Sequence, residues 1–235
     1  MRANLPADDD ISRVSPWRRI TARILLVVFG SGCILPGGAH GAPIADPTGP
    51  IAFRPGIGQT STGVPAVDIT RPNAGGTSYN RYQRFDVDQE GVVLNNSSQA
   101  GTTLLGGRVA ANPNLSGGAG ASVIVNEVVV AGAASRLAGS IEVFGAPAAV
   151  IVANPNGVTC AGCATVNSPR FMLSTGTPVW LDALGSPASF AGATGVGFDV
   201  IGGQVRVEGQ GLEGTVGKVE LVGASIQLDG PVRAH

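Results

Sequence analysis

From Val64 onward the chain is cut into β-type runs of three to six residues, nearly all closed by Gly, Asn, Asp or Pro. The runs are Val64–Ile69, Tyr82–Val87, Val92–Leu94, Val123–Val125, Val128–Val130, Ile141–Phe144 and Val150–Val152. Phe171–Leu173, Phe198–Ile201, Gln204–Val207, Val219–Val222 and Ser225–Leu228 follow. No stretch of helical length sustains apolar residues at i, i+3, i+4 and i+7 between caps, so the fold is expected to be all-β. Sandwich strands are joined by hairpins and anchored by large aromatics. Here aromatics are only 5% of the chain, and single Gly or Asn corners divide the runs. A parallel β-helix accounts better for this rhythm. Its thin interior is filled by stacked Val, Ile, Leu and Ala, and 36 Gly and 16 Pro supply the corners. The alternation Val205-Arg206-Val207, Val219-Glu220-Leu221 and Ile226-Gln227-Leu228 continues towards His235 with no polar capping segment. The expectation is therefore a solenoid open at its C-terminal end and the first part of a longer protein.

The first residues read as an address. Arg13, Arg18, Arg19 and Arg23 precede the apolar run Ile24–Phe29, and Ala39-His40-Gly41 places small residues at an exit site. Residues 1–41 are thus expected to be a signal peptide cleaved between Gly41 and Ala42, its apolar stretch being too short to span a bilayer. Residues 42–63, rich in Pro and Gly with no apolar period, are expected to form a linker or loosely attached arm, with the β-helix domain covering 64–235. No basic run follows Arg23, which speaks against a nucleic-acid partner.

Export places Cys160 and Cys163 in an oxidising compartment. Their Cys-Ala-Gly-Cys spacing suits a small disulfide loop, half of a zinc site or a redox pair. Zinc lacks further ligands beyond His235, and a redox pair needs a helix start where Val158, Thr159, Thr165 and Val166 read as strand. A structural disulfide or idle thiols remain. Asp86, Asp88 and Glu90 alternate as the carboxylates of a polysaccharide-cleaving β-helix enzyme would, and equally as a solvated strand face. The expectation is no catalytic residue, no metal and no cofactor. Asn side chains with Tyr79 and Tyr82, taken as exposed, suggest a carbohydrate-binding module as one alternative.

Two segments repeat a phrase: Asn112-Pro113-Asn114-Leu115 and Asn154-Pro155-Asn156-Gly157. Pro at the second position of a turn sets φ near −65°, and Asn before it bonds back to the turn backbone. By themselves they mark corners, and Asn at corners can also stack from coil to coil.

The order of motifs around those turns resembles a known family. Asn80-Arg81-Tyr82-Gln83-Arg84-Phe85-Asp86-Val87, Gly91-Val92-Val93-Leu94-Asn95-Asn96, Asn112 to Leu115, Ile124-Val125-Asn126-Glu127-Val128, Val152 through Cys163, Asn167-Ser168-Pro169-Arg170 and Leu173 to Pro178 follow one another. This series is similar to the N-terminal secretion domain of two-partner secretion exoproteins, the group of filamentous haemagglutinin. The resemblance implies a right-handed β-helix with a capped N-terminal end, crossing the periplasm unfolded. It also implies a partner, an outer-membrane β-barrel transporter with POTRA domains, that threads the chain to the cell surface. Asn112–Leu115 would be tied to secretion and Asn154–Gly157 to folding. The expected function is the targeting domain of a surface-exposed or secreted haemagglutinin-like adhesin, meeting a host-cell surface or glycan receptor. Delivery of a contact-dependent toxin or haemolysin is the alternative. Val179-Trp180-Leu181-Asp182 and the Gly- and Ala-rich residues 183–197 depart from the family pattern.

Overall fold

Short runs with a two-residue period put every second side chain on one face, and a chain that turns after each run brings equivalent positions of successive coils together. The computed structural model describes residues 41–214 and 217–234. The expected signal-peptide features before Gly41 lie outside the described residues. The chain begins with β1 (Ile44–Ala45), a 3-10 turn at Ile51–Phe53, β2 (Gly56–Gln59) and β3 (Pro65–Asp68). A long β4 (Thr77–Arg84) and β5 (Val92–Asn96) lead to a small hairpin, β6 (Gly101–Thr103) and β7 (Gly107–Val109). Then come β8 (Val123–Val128), β9 (Ser135–Leu137), β10 (Ser140–Gly145), β11 (Ala149–Ala153), β12 (Val158–Cys160), β13 (Cys163–Val166) and β14 (Arg170–Ser174). A second hairpin, β15 (Thr177–Leu181) and β16 (Gly195–Asp199), precedes β17 (Gln204–Val207), β18 (Leu212–Gly214), β19 (Lys218–Val222), β20 (Ser225–Leu228) and β21 (Val232–Ala234).

Each coil visits three sheets in turn, and the architecture is a parallel β-helix. The first sheet stacks β4, β8, β11, β14 and β19, the second β3, β5, β10, β13, β18 and β21, and the third β9, β12, β17 and β20. Register aligns like with like. Val150 lies between Ile124 and Phe171, all three buried in one core column that the partly buried Val219 continues. Near the N-terminal end the same inward positions are polar. Asn80 sits beside Asn126 and donates to the Val125 carbonyl at 3.2 Å, and Tyr82 donates its hydroxyl to Asn126 Oδ1 at 3.0 Å. Tyr79 and Tyr82 are 7% and 0% exposed, which corrects their reading as surface groups for sugar binding. Tyr82 fills the interior, and Tyr79 packs on the outer face of the first sheet.

The Pro- and Gly-rich segment 42–63 is not a loose arm. Ile44–Ala45 pairs antiparallel with the edge of β4, and Gly56–Gln59 pairs antiparallel with β3. Both strands lie across the first coil and close two of its sheets, so this segment is the N-terminal cap. Its prolines, Pro43, Pro47, Pro50 and Pro55, all fall outside these two strands, where a missing N–H leaves no ladder bond unmade.

The outer faces of the sheets differ. The first sheet carries Tyr79, Val125, Ile151 and Met172 outward, and these are covered by Trp180, Val196 and Phe198 of the β15–β16 hairpin together with Phe190 and Phe53. Ring centroids lie 4.8 Å apart for Tyr79 and Trp180, 4.9 Å for Trp180 and Phe190, and 5.2 Å for Phe190 and Phe53. The second sheet is covered by Leu105 and Val109 of the β6–β7 hairpin, whose tip is held by Glu142 accepting the Leu104 and Leu105 N–H groups. The third sheet shows a polar column of Arg136, Thr159, Arg206 and Gln227. At the far end Ile226 and Leu228 continue the columns of Val205 and Val207 but are 47% and 57% exposed.

Because the hairpin covers an apolar sheet face, Trp180→Ala should lower unfolding free energy by about 2–3 kcal/mol. Urea denaturation of the purified domain, followed by far-UV circular dichroism, measures it.

Candidate functional site

The two Asn-Pro-Asn turns are built alike. In each, the first Asn accepts the backbone N–H of the second at 2.9 Å, from Asn114 to Asn112 Oδ1 and from Asn156 to Asn154 Oδ1. That bond nucleates the corner, and Pro supplies a fixed φ with no orphaned donor. The amide of the first Asn then reaches away from its own turn. Asn112 Nδ2 donates to the carbonyls of Ile69 and Asn95 at 2.9 and 2.8 Å, and Asn114 Nδ2 to Ile69 at 3.1 Å. Asn154 Nδ2 donates to the Ala133 carbonyl and to Ser135 Oγ, and Asn156 Nδ2 to the Val130 carbonyl at 2.9 Å. Both leading asparagines are 1% exposed.

These side chains thus clamp one coil to another, supplying donors to carbonyls left without a ladder partner where the chain bends. Leu115 is buried beneath the first turn. Gly157 takes φ +124° after the second, a conformation that side-chain-bearing residues rarely adopt. The two motifs are not brought together. Asn112–Leu115 lies against the β3 and β5 ends, whereas Asn154–Gly157 forms the corner from β11 to β12.

Cys160 and Cys163 are joined by a disulfide that spans the corner between β12 and β13. Cys160 stands in register with Leu137 and Val207, so the bridged sulfurs occupy a core column. Within the bridged loop, Ala161 N donates to Leu137 and Gly162 N to Gly211. Gly41 and Ala42, the expected cleavage junction, stand at the start of the described residues just before β1.

The acidic series does not gather in a groove. Asp86 is buried, pairs with Arg84 at 3.6 Å and accepts the Arg136 N–H at 2.8 Å, while Glu90 is exposed. A charged cluster that sequence reasoning missed latches the cap instead. Asp46, 1% exposed, binds Arg81 at 3.0 Å and accepts both the N–H and hydroxyl of Thr48. Burial pushes the Asp46 carboxyl up, but the Thr48 and Arg81 contacts outweigh it and hold the group below its ordinary value. On the same outer face Tyr79 donates its hydroxyl to Glu127, whose carboxyl burial pushes above its ordinary value. The signal for Asp46 was faint, a lone Asp between Ala45 and Pro47 in a segment without apolar period.

The family assignment follows from the whole domain. Residues 43–235 match the model of the TPS secretion domain. The chain belongs to the two-partner secretion domain family. A solved structure of the filamentous haemagglutinin secretion domain superposes with a TM-score of 0.71 at 34% identity, covering 83% of this chain and 59% of that one. Relatives include the 16S rRNA endonuclease CdiA of Enterobacter cloacae, 46% identical over 67% of this chain and 4% of its own length. The haemolysin of Serratia marcescens is 41% identical over 71% of this chain and 10% of its own, and Toxin CdiA of Yersinia pestis 36% over 95% and 6%. The chain therefore spans a tenth or less of these relatives. The two-partner secretion domain implies an outer-membrane transporter as partner and export to the cell surface or beyond. What it contributes is secretion, and the enzymatic relatives carry their activities outside this region.

Asp46 contributes stability that is fully present above its unfolded value, near 3.8, and is lost as pH falls through the lower folded value. Asp46→Asn should therefore lower Tm at pH 7, and the gap to wild type should shrink towards pH 3. Thermal melts across that range read it directly.

Proposed function

We propose that this two-partner secretion domain is an address read before it folds, and that Asn112–Leu115 is the part read. The observation supporting this is the burial of the motif: Asn112 is 1% exposed and its amide is engaged by Ile69 and Asn95. A transporter that recognises those side chains meets them on the unfolded chain. After removal of residues 1–41 between Gly41 and Ala42, the chain crosses the periplasm unfolded. The POTRA domains of the transporter then take it up, and it folds at the surface. Asn154–Gly157 serves folding, because its amides tie β11–β12 to the coil before it. The passenger beyond this domain is a haemagglutinin-like adhesin. Delivery of a toxin or haemolysin is a second reading, favoured by the CdiA and haemolysin relatives.

Replacing Asn112 and Asn114 with Ala should lower the surface-exported fraction severalfold at unchanged synthesis, measured by fractionation and immunoblotting of cells carrying the transporter. Refolding of the purified variants separates the roles. Asn154→Ala with Asn156→Ala should slow refolding and cost about 2 kcal/mol while export is kept. Export unchanged by the first pair would refute the recognition role.

Cys160→Ser with Cys163→Ser should leave export nearly unchanged, since a bridge three residues apart adds no long loop to a threaded chain. Loss of export in that variant would give the pair a role in transport.

A further inference from the structure

A cleft of about 690 Å³ lies where the cap, the residues between β3 and β4, the first Asn-Pro-Asn turn and the tip of the β15–β16 hairpin meet. Its apolar surface comes from Phe53, Pro113 and Phe190, and Ile51 stands at its edge 82% exposed. An aliphatic side chain that open beside an apolar cleft marks a contact surface. Arg54 and Arg71 line the same cleft. Arg54 donates to the carbonyls of Asp46, Pro47 and Gly49, and Arg71 to that of Ser116 at 3.2 Å. Neither forms an ion pair among the described residues, no acidic side chain lines the cleft, and the nearby Asp46 carboxylate is held by Arg81. Carbonyls satisfy the geometry of a guanidinium without neutralising its charge.

We infer that this cleft binds an extended peptide of a partner protein, one that carries an Asp or Glu next to an apolar residue. The carboxylate answers the two uncompensated arginines with charge-assisted hydrogen bonds. The neighbouring apolar side chain covers Ile51 and enters the space between Phe53, Pro113 and Phe190. Asn114 completes the match. Its amide NH2 is engaged by Asp68 and Ile69, so what it offers the cleft is a carbonyl oxygen, an acceptor for a peptide N–H. The cleft goes beyond the secretion reading, because its walls come from segments distant in sequence and it exists only once the domain has folded. Its partner is met after export.

The test is peptide selection from a random dodecapeptide phage library on the folded, immobilised chain, followed by fluorescence anisotropy with the best labelled peptide. The expected consensus places Asp or Glu beside Leu, Ile, Val or Phe. Arg71→Gln, an exposed side chain whose loss leaves the fold intact, should weaken binding by about tenfold, as should added salt. Ile51→Ser, also exposed, should weaken it independently of salt. Absence of enrichment, a consensus without an acidic residue, wild-type affinity in either variant, or capture of phosphatidylglycerol vesicles in place of peptide would each overturn the proposal. Loss of the secretion role of Asn112 would leave it standing.

Discussion

Coil-on-coil register is the constraint on which everything else here depends. In a parallel β-helix each backbone ladder forms only if equivalent residues of successive coils lie side by side, and a slip of one residue would turn every inward side chain outward. The column from Ile124 through Val150 and Phe171 to Val219 shows the register kept over four coils. Towards the N-terminal end, Asn80, Asn126 and Tyr82 fill the interior and satisfy one another and the sheet carbonyls.

Corners are where register is gained or lost, and the chain fastens them with whatever chemistry the local geometry allows. Two use Asn-Pro-Asn, one uses a disulfide, and one, Gly139, relies on having no side chain, since a Cβ there would stand 1.9 Å from the Asp88 carbonyl. The hairpins are a different device. They do not extend the helix but cover the apolar residues that two sheets carry outward.

The β-helix was legible because its signal is local: short aliphatic runs, corner residues and alternation. Ile141–Phe144, Val150–Val152 and Phe171–Leu173 could be read directly from their β-branched and aromatic content. The start of β4 could not, because Thr77, Ser78 and Asn80 look like loop residues and become strand by pairing in register with Val123, Ile124 and Asn126 of β8. The cap was misread for a related reason. A strand that pairs only through its backbone, such as Gly56–Gln59, carries no apolar pattern, and the Asp46–Arg81 latch spans 35 residues of sequence. The corner role of the Asn-Pro-Asn turns was visible in their residue types, whereas their burial was not, because the carbonyls they serve belong to other coils.

The aromatic contact between Phe53 and Phe190 also sets an order of events. The Asn73 amide binds the Phe190 and Ala193 carbonyls across 117 and 120 residues of sequence, so the N-terminal end is finished by a segment made much later. Whichever end of the domain emerges first, neither half can complete that seal alone. The contact is a long-range one, and loop-closure entropy favours the local coils forming before it closes. The domain is wound as a line, yet its first turn is fastened by a segment from beyond its middle.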